Sequence, residues 1–599
     1  MDNFLAIIEK INSSINGVVW GVPMLILIVG TGIIMTVGTK FFQVTRAKHV
    51  TKETIGGMFT KKDVRKSTEQ KSISQFQALC TALAATIGTG NIAGVATAIA
   101  IGGPGAVFWM WVSAFFGMMT NYSENVLGIY YRRRNKEGEW CGGAMYYLRD
   151  GLGSKKGCKH LGKILAVLFS IFCVCASFGI GNMTQVNSIA SAMKSNFGMP
   201  AIAVGIALAI IAALVIVGGI KRIGQTAEKL VPFMALFYII GALIIFVMNF
   251  HQIPYIFSSI FKNAFNFGSI AGAGSGLVIK KAVTMGFKRG VFSNEAGLGS
   301  SVMVHSASNV KEPVTQGIWG IFEVFVDTII VCTLTAFVLL SSTCTSVSLS
   351  EAVKNVTKEE KYVRIYDIDE FKNEQAVPLM DVTTNPLLEI AQPGDEVSDT
   401  YKVIPENGEP FEISLKKDDE SDDSNYIYTN VMSIKGISVD ENGNEIKDEN
   451  APVNAVSIEQ ISGVPLVTYA FSQRFGSWAG MLLAVAILLF AFSTVLGWSY
   501  YGTKAWEYLF GTKSTVLYRV VFVLFIIVGA TMDLSLAWDI SDTLNGLMAI
   551  PNLIGVLALS KTVFEITKNY SSRKFYGKKD VRPMLSAFKD IQEDHEKSL

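Results

Sequence analysis

Charge is what this sequence has least of. Asp, Glu, Lys and Arg make up 17% of its 599 residues, where a soluble protein carries about a quarter. Half of the residues are apolar, which excludes an ordinary water-soluble fold of this length. Histidine is scarcer still: His49, His160, His251, His305 and His595 are scattered, so no His-rich metal set is expected. The cysteines Cys80, Cys141, Cys158, Cys173, Cys175, Cys332 and Cys344 show no metal-ligand spacing. They read as small packing residues and imply no disulfide framework. No nucleotide loop is present, because Gly497–Lys504 reads GWSYYGTK and lacks the GK(S/T) ending. Gly88-x-Gly90-x-x-x-Gly94 has the wrong spacing for a dinucleotide fingerprint. With no nucleophile elbow and no carboxylate pair of clear catalytic geometry, an enzyme is not expected, and neither a cofactor nor a nucleic-acid partner is implied. Met1–Gly17 starts with Asp2 and has no basic segment ahead of a cleavage site, so it does not read as a signal peptide.

What the chain has instead is long uncharged runs. Val18–Val37, Ile164–Ile180, Ala201–Gly219, Val231–Phe250, Val324–Leu340, Met481–Leu496 and Val516–Thr531 are nearly free of charge. About 20 apolar residues cross the ~30 Å hydrocarbon core as a helix. The expected fold is an all-α polytopic membrane protein with about eleven transmembrane helices, at 18–40, 76–101, 105–131, 161–192, 199–220, 229–250, 282–306, 314–342, 477–502, 515–534 and 538–563. Every second loop is basic: KFFQVTRAKHVTKET, YYRRRNKEGEW, KRIGQTAEK, TKAWEY and the tail SSRKFYGKKDVR. Basic loops stay cytoplasmic, which places the protein in the cell membrane with its N-terminus outside and its C-terminus inside.

Residues 345–460 break the pattern. They hold 26 acidic and 10 basic residues, a net of −16, against +18 for the rest. This insert follows the eighth span and is expected outside. Short β-like runs at Lys402–Ile404, Phe411–Ser414, Tyr426–Tyr428 and Ile434–Val439 alternate with turn signals at Glu406–Glu409 and Asp440–Asn444. It reads as a small, partly β module, followed by an interfacial helix near Leu466–Phe475. It lies outside the two five-helix sets, so it is expected to be dispensable for what the helical body does. The chain then divides into an accessory helix and linker (1–75), a first five-helix set (76–250), the start of a second set (251–344), the insert (345–460), the rest of the second set (461–563) and a cytoplasmic tail (564–599).

Two membrane segments are poor helices: Ala84–Gly94 (AATIGTGNIAG) and Gly286–Gly299 (GFKRGVFSNEAGLG). Each helical glycine costs roughly 1 kcal/mol relative to alanine. Unwound backbone survives in a bilayer only against protein or a water-filled cavity. There it presents free N–H groups to a carboxylate and free carbonyls to a cation. A zwitterionic amino acid travelling with a cation fits that chemistry. The two segments open corresponding helices of two oppositely oriented sets, the pattern of an inverted repeat with a midplane site. Close helix packing is the alternative use of such small-residue clusters.

TALAATIGTGNIAGVATAIAIGGPGAVFWMW (81–111) and GFKRGVFSNEAGLGSS (286–301) resemble the two signatures of the alanine/glycine:cation symporter family. GAMYYLRDGL (143–152) and AFSTVLGWSYYG (491–502) are similar to further family segments. The resemblance covers about 1–344 and 465–570, and the insert departs from it. It implies a leucine-transporter-like 5+5 inverted repeat plus one N-terminal accessory helix, and import of alanine or glycine with sodium as the coupling ion. It also implies roles. Thr89 and Gly90 would offer amides to the substrate carboxylate, and Asn294 a polar contact. Gln185 would be the polar pocket residue, and Phe292 and Trp498 the pocket walls. Carbonyls at Ala84 and Ile87, the hydroxyls of Ser493 and Thr494, and Asn91 would hold sodium, since hard oxygen ligands suit a hard cation. Thr494 would also serve the substrate. For Ser493 and Thr494 the alternative is a bond to their own helix backbone; for Trp498 it is packing or interface anchoring.

Intramembrane charges are functional suspects. Lys288, Arg289 and Glu295 flank the second break, and Glu323 and Asp327 lie four apart on one face. They are candidate gating or charge pairs, Glu323 or Asp327 with Lys288 or Arg289. Glu124 is expected at the interface. Rival readings of the whole chain are a proton-coupled carrier of small neutral amino acids and a non-transporting amino-acid sensor with the acidic module as receptor. Oligomeric state has no signature here.

Overall fold

The computed structural model describes residues 2–67, 71–265, 275–342, 346–348, 353–354, 356–366, 397–406, 409–416, 431–440, 445–446, 448, 450–532, 535–578 and 580–597. It is a helical body carrying a small β module. The helices that build the body are α1 (Asp2–Val19), α2 (Val22–Gly38), α3 (Gln75–Thr86), α4 (Val95–Gly102), α5 (Gly105–Tyr130), α6 (Lys159–Phe178), α7 (Thr184–Phe197), α8 (Ala201–Ile216) and α9 (Gly219–Met248). They continue with α10 (Ile253–Ala264), α11 (Ser275–Asn294), α12 (Pro313–Val324), α13 (Thr333–Ser341), α14 (Gly463–Phe475), α15 (Trp478–Phe510), α16 (Thr515–Thr531), α17 (Ser535–Ala558), α18 (Ser560–Lys574) and α19 (Lys589–Lys597). Among the described residues, seven helical stretches are long and apolar enough to cross a bilayer, or eight if one bent pair counts as a span. That pair is the first broken segment, where Gln75–Thr86 and Gly90–Gly102 meet at 53°.

Local chemistry sets the ends. Ser74 and Gln77 form a reciprocal capping box that starts α3. Pro23, Pro254 and Pro313 sit in the first turns of α2, α10 and α12, where a missing N–H costs nothing. Gly198, at φ 66°, closes α7 in a left-handed cap.

The second break is narrower than Gly286–Gly299. Helix α11 runs unbroken to Asn294, and the left-handed residues begin at Glu295 (φ 55°) and continue at Gly297 (φ 95°) and Gly299 (φ 74°). Gly286 and Gly290 serve packing instead: a Cβ at 286 would lie 2.5 Å from Trp109 Cβ, and one at 290 would lie 3.1 Å from Ser113 Cβ. They let α11 lie close along α5.

Glu124 is also placed differently. It is fully buried in α5 rather than interfacial. The Asn552 amide of α17 donates to its carboxylate and, at 2.8 Å, to the Gly297 carbonyl. Depth along a helix did not reveal which neighbour would cover that face.

The module is β-structured, and its strands run through three of the expected segments. Ser346–Ser348, Lys361–Tyr366, Met432–Ile437 and Ala455–Gln460 form one four-stranded sheet in that order, and Val397–Val403 pairs antiparallel with Phe411–Lys416. Val353, Val356, Val403, Ile413, Ile434, Val453 and Val456 form its own small core. The run Tyr426–Tyr428 lies outside the described residues, as do Asn407–Gly408 and Glu441–Asn444 of the turns and Cys344. The module is seated on the body: Ile461 N–H donates to the Val431 carbonyl at 3.0 Å, and the Tyr362 and Tyr469 rings meet edge-on at 5.3 Å. At the C-terminal end of α5 the tail folds back. Ala587 N–H donates to the Tyr130 carbonyl at 2.9 Å, and His595 is buried against Trp140.

Candidate functional site

The site grows from the first break. Helix α3 ends at Thr86, and Ile87 turns extended (φ −76°, ψ 92°). The Gly88 N–H, released from the helix ladder, donates to Asn91 Oδ1 at 3.0 Å. Asn91 lies in a wide π-type turn, Gly90–Gly94, that leads into α4. Two more such turns sit close by in sequence to predicted site residues: Gly179–Met183 ahead of Gln185, and Phe325–Cys332 around Asp327. Turns of this kind concentrate at functional sites because they free backbone groups.

Helix α15 closes against this break. Ser493 Oγ lies 3.1 Å from the Ala84 carbonyl and 2.7 Å from its own Phe490 carbonyl. Thr494 Oγ1 donates to Phe490 O at 3.1 Å, the local bond anticipated as the alternative. It still faces the break: a Cβ on Gly88 would lie 2.5 Å from Thr494 Oγ1 and 3.5 Å from Gln185 Oε1. Thr89 Oγ1 donates to Gln185 Oε1 at 3.1 Å, and Gln185 Nε2 donates to Ile180 O at 3.0 Å. Gly497 permits the approach, since a Cβ there would lie 2.6 Å from Ala85 Cβ and 2.9 Å from Ala85 Cα. Ala84, Thr89, Gln185, Ser493 and Thr494 are thus gathered around Gly88 as neutral oxygen groups.

The second break joins from the other side. Phe292 packs on Gly90, whose added Cβ would meet the ring at 3.1 Å. Asn91 Nδ2 reaches Ser293 Oγ at 2.9 Å and Asp327 Oδ1 at 2.7 Å. Ser293 Oγ donates to Asp327 Oδ2 at 2.7 Å, and Thr328 Oγ1 donates to it at 2.8 Å. Asn294 donates to Thr328 Oγ1 at 3.0 Å and caps Ala296 N–H at 3.0 Å. Asn294 therefore shapes the turn itself. Trp498 is buried, lies against Gly181, and donates Nε1 to Glu295 Oε1 at 2.8 Å. Ser300 Oγ holds the other Glu295 oxygen at 2.5 Å. The indole thereby ties α15 to the second break.

The expected charge pairs are rearranged. Lys288 Nζ lies 2.8 Å from Asp542 Oδ2 of α17, and Arg289 Nη1 lies 3.8 Å from the same oxygen. Glu323 lies 2.9 Å from His305 Nε2, whose Nδ1 is 2.6 Å from Gln316 Nε2. Asp327 bonds the neutral donors above. Neither Glu323 nor Asp327 pairs with Lys288 or Arg289. Sequence reasoning missed Asp542 and His305, although both fall inside the expected windows 538–563 and 282–306, where any charge was suspect.

A cavity of about 1070 Å³ opens between the body and the module. Ala93, Gly94, Asn187, Arg289 and Asp542 line its body side, and Glu360, Tyr362 and Ser433 its module side. Thr89, Thr494 and Trp498 are not on its wall. The module thus supplies part of the wall of this cavity.

The sequence profile of the Sodium:alanine symporter family matches residues 5–362 and 451–584. The chain belongs to the sodium:alanine symporter family. The matched parts are the helical body and the first and last stretches of the module, and 363–450 lies outside the match. Three relatives carry symporter or carrier names. The Sodium/alanine symporter AgcS of Methanococcus maripaludis is 40% identical over 95% of this chain and 98% of its own length. The Probable sodium/glutamine symporter GlnT of Bacillus subtilis is 30% identical over 98% and 95%. The Putative sodium/proton-dependent alanine carrier protein YrbD of Bacillus subtilis is 41% identical over 55% and 63%. As a member of this symporter family with at least seven candidate spans, the chain is a multi-pass membrane protein.

Proposed function

We propose that this chain imports alanine or glycine together with sodium by alternating access. The observation that carries the reading is the group of neutral oxygens about Gly88, where Ser493 Oγ stands 3.1 Å from the Ala84 carbonyl and Thr494 Oγ1 faces the break. Such oxygens suit a hard monovalent cation. The Thr89 and Gly90 amides on the far side of the break suit a carboxylate. The name of AgcS speaks for alanine. In this reading the body has eleven spans, an accessory helix followed by two inverted five-helix sets, with Ala84, Ile87, Asn91, Ser493 and Thr494 serving sodium. Thr89, Gly90, Gln185, Phe292 and Thr494 serve the amino acid, while Asn294 and Trp498 fix the second break around it.

Uptake of labelled alanine into proteoliposomes, with sodium and proton gradients imposed separately, decides the coupling. The expected result is accumulation with sodium alone. A proton-coupled cycle is the second reading, favoured by Asp327, a buried carboxylate joined to both breaks through Asn91 and Ser293. Accumulation driven by protons in sodium-free buffer would select it. A sensor would show binding without either flux.

Thr494→Ala removes one oxygen from the group. Losing a buried hydroxyl partner typically costs about 1–3 kcal/mol, which corresponds to about 5- to 150-fold in affinity. Binding of sodium or alanine to the purified variant should weaken by that order while its thermal unfolding stays near the parent's. Unchanged affinities for both would remove Thr494 from the site.

Orientation is tested by impermeant thiol labelling of intact cells. Ser586 is buried, so the inner probe belongs at Lys589, whose side chain is 90% exposed, and the outer one at the exposed Lys402. Lys402→Cys should label and Lys589→Cys should not. The reverse pattern inverts the topology.

A further inference from the structure

Helix α5 runs into a short antiparallel hairpin, Arg133–Arg134 against Trp140–Cys141. At its root the buried Arg132 donates to the carbonyls of Ser306 at 3.0 Å, Ser308 at 2.6 Å and Val310. The hairpin is thereby tied to the segment that follows the second break. On its flank Lys504 Nζ of α15 lies 3.2 Å from Glu139 Oε2, and Asn135 Nδ2 donates to Glu507 Oε1 at 3.0 Å. Lys504 Nζ and Glu507 Oε2 are themselves 2.8 Å apart. The cavity meets α15 between Gly480 and Ile487. Lys504 stands about 26 Å beyond Ile487 along that helix, at about 1.5 Å of rise per residue. The hairpin therefore joins α5 to α15 at the end of α15 away from the cavity.

The tail docks on this joint as a unit that holds itself together. Arg582 pairs with both oxygens of Glu596, at 2.6 and 3.1 Å. Gln592 Oε1 accepts from the Leu585 and Ser586 N–H groups at 2.8 and 2.9 Å, and Nε2 donates to the Pro583 carbonyl at 2.7 Å. Its grip on the joint is made of weaker pieces. Ala587 N–H bonds the Tyr130 carbonyl, Arg133 stacks 3.8 Å over the Phe588 ring, and the His595 ring meets Trp140 edge-on at 5.7 Å. Arg132 and Arg134 also lie over Trp140, at 4.0 and 4.3 Å, so His595 completes a stack that begins at the hairpin root. His595 is 3% exposed. Burial first, and then the charge of Arg132, hold its pKa down at about 4. A fixed positive charge there would face Arg132, Lys311 and Arg134, partly offset by Asp594. A unit closed on itself and held by few contacts opens locally at low cost.

We propose that residues 583–597 are a detachable strap. Docked, the tail clamps the hairpin against α15 and keeps this end of the body shut; lifted, it frees the hairpin and lets that end open. In the proposed orientation this is the cytoplasmic end. The strap's purpose, timing the release of cargo into the cell, rests on the symport reading, but its mechanics are measured without transport.

Cys141 reports the opening. It is 3% exposed, and its Sγ lies 3.7 Å from Lys504 Nζ and 3.6 Å from Glu507 Oε1, so it stays covered while the hairpin sits on α15. In the full chain with Cys158, Cys175 and Cys344 replaced by serine, alkylation by N-ethylmaleimide is followed peptide by peptide. The buried Cys80 and Cys173 serve as internal standards. Deleting 583–599 should speed alkylation of Cys141 severalfold and leave Cys80 and Cys173 unchanged. His595→Lys, which sets a charge against Arg132, should act in the same direction with the tail still present. His595→Phe, which keeps a neutral ring on Trp140, should stay near the parent. An unchanged Cys141 rate in the folded deletion overturns the strap, and folded His595→Lys decides in its place if the deletion does not fold. An equal rise at Cys80 and Cys173 also overturns it, because the tail then only stabilises the whole body. If the parent shows no sodium-driven uptake, the symport reading fails and the thiol rates still decide the strap.

Discussion

Asp542→Asn should destabilise the protein by about 3 kcal/mol. The substitution keeps the shape but leaves Lys288 and Arg289, with side chains 15% and 13% exposed, without their carboxylate. Removing one partner of a buried pair costs about 3–5 kcal/mol, and the neighbouring cavity places this site at the lower end. Thermal or denaturant unfolding of the purified protein in detergent measures the loss. Lys288→Met in the same chain should recover most of it, because the closer cation is then gone. A single variant as stable as the parent would mean that water already neutralises the pair.

Gly88→Ala should disable ligand binding. The new Cβ would stand 2.5 Å from Thr494 Oγ1 and 3.5 Å from Gln185 Oε1, in the middle of the oxygen group. Overpacking of this kind costs about 1–3 kcal/mol, and at 1.4 kcal/mol per decade the expected loss is about 5- to 150-fold in affinity for sodium and alanine. Adding Thr494→Ala removes the clashing atom. The double variant should regain thermal stability but not affinity, because the hydroxyl is then missing. Full affinity in Gly88→Ala would dissociate the oxygen group from the ligands.

Much of the body was legible because local composition dictates it. Charge-free runs must be helices in lipid, where every backbone group has to be satisfied internally, and helices lie at each of them. The first break was readable as Ala84–Gly94, since the glycines on either side of Thr89 loosen the ladder. The second was read too wide, because Gly286 and Gly290 have the composition of a break but the function of a packing surface for α5. What sequence could not supply was partnership across long separations. Nothing near Lys288 points to Asp542, 254 positions later, or near Glu124 to Asn552. The acidic insert announced that it was solvated, yet its charge could not say that Glu360 would face a cavity shared with Arg289. Thr494 and Trp498 both lie on α15, but the indole's bond to Glu295 depends on a left-handed turn that no propensity foretells.

The contact of Gly497 with Ala85 constrains how such a molecule can move. Side chains at a helix interface can trade rotamers and let the helices slide. Here backbone lies against backbone, with no rotamers to exchange, and dense packing transmits strain instead of absorbing it. Such a joint resists sliding. The ladder ends at Ile87, whose N–H still bonds the Leu83 carbonyl at 2.8 Å, and the Gly88 N–H is the first to leave it. Close backbone packing therefore fixes the middle of α15 against the end of α3, with Ser493 held 3.1 Å from the Ala84 carbonyl just before the helix gives way.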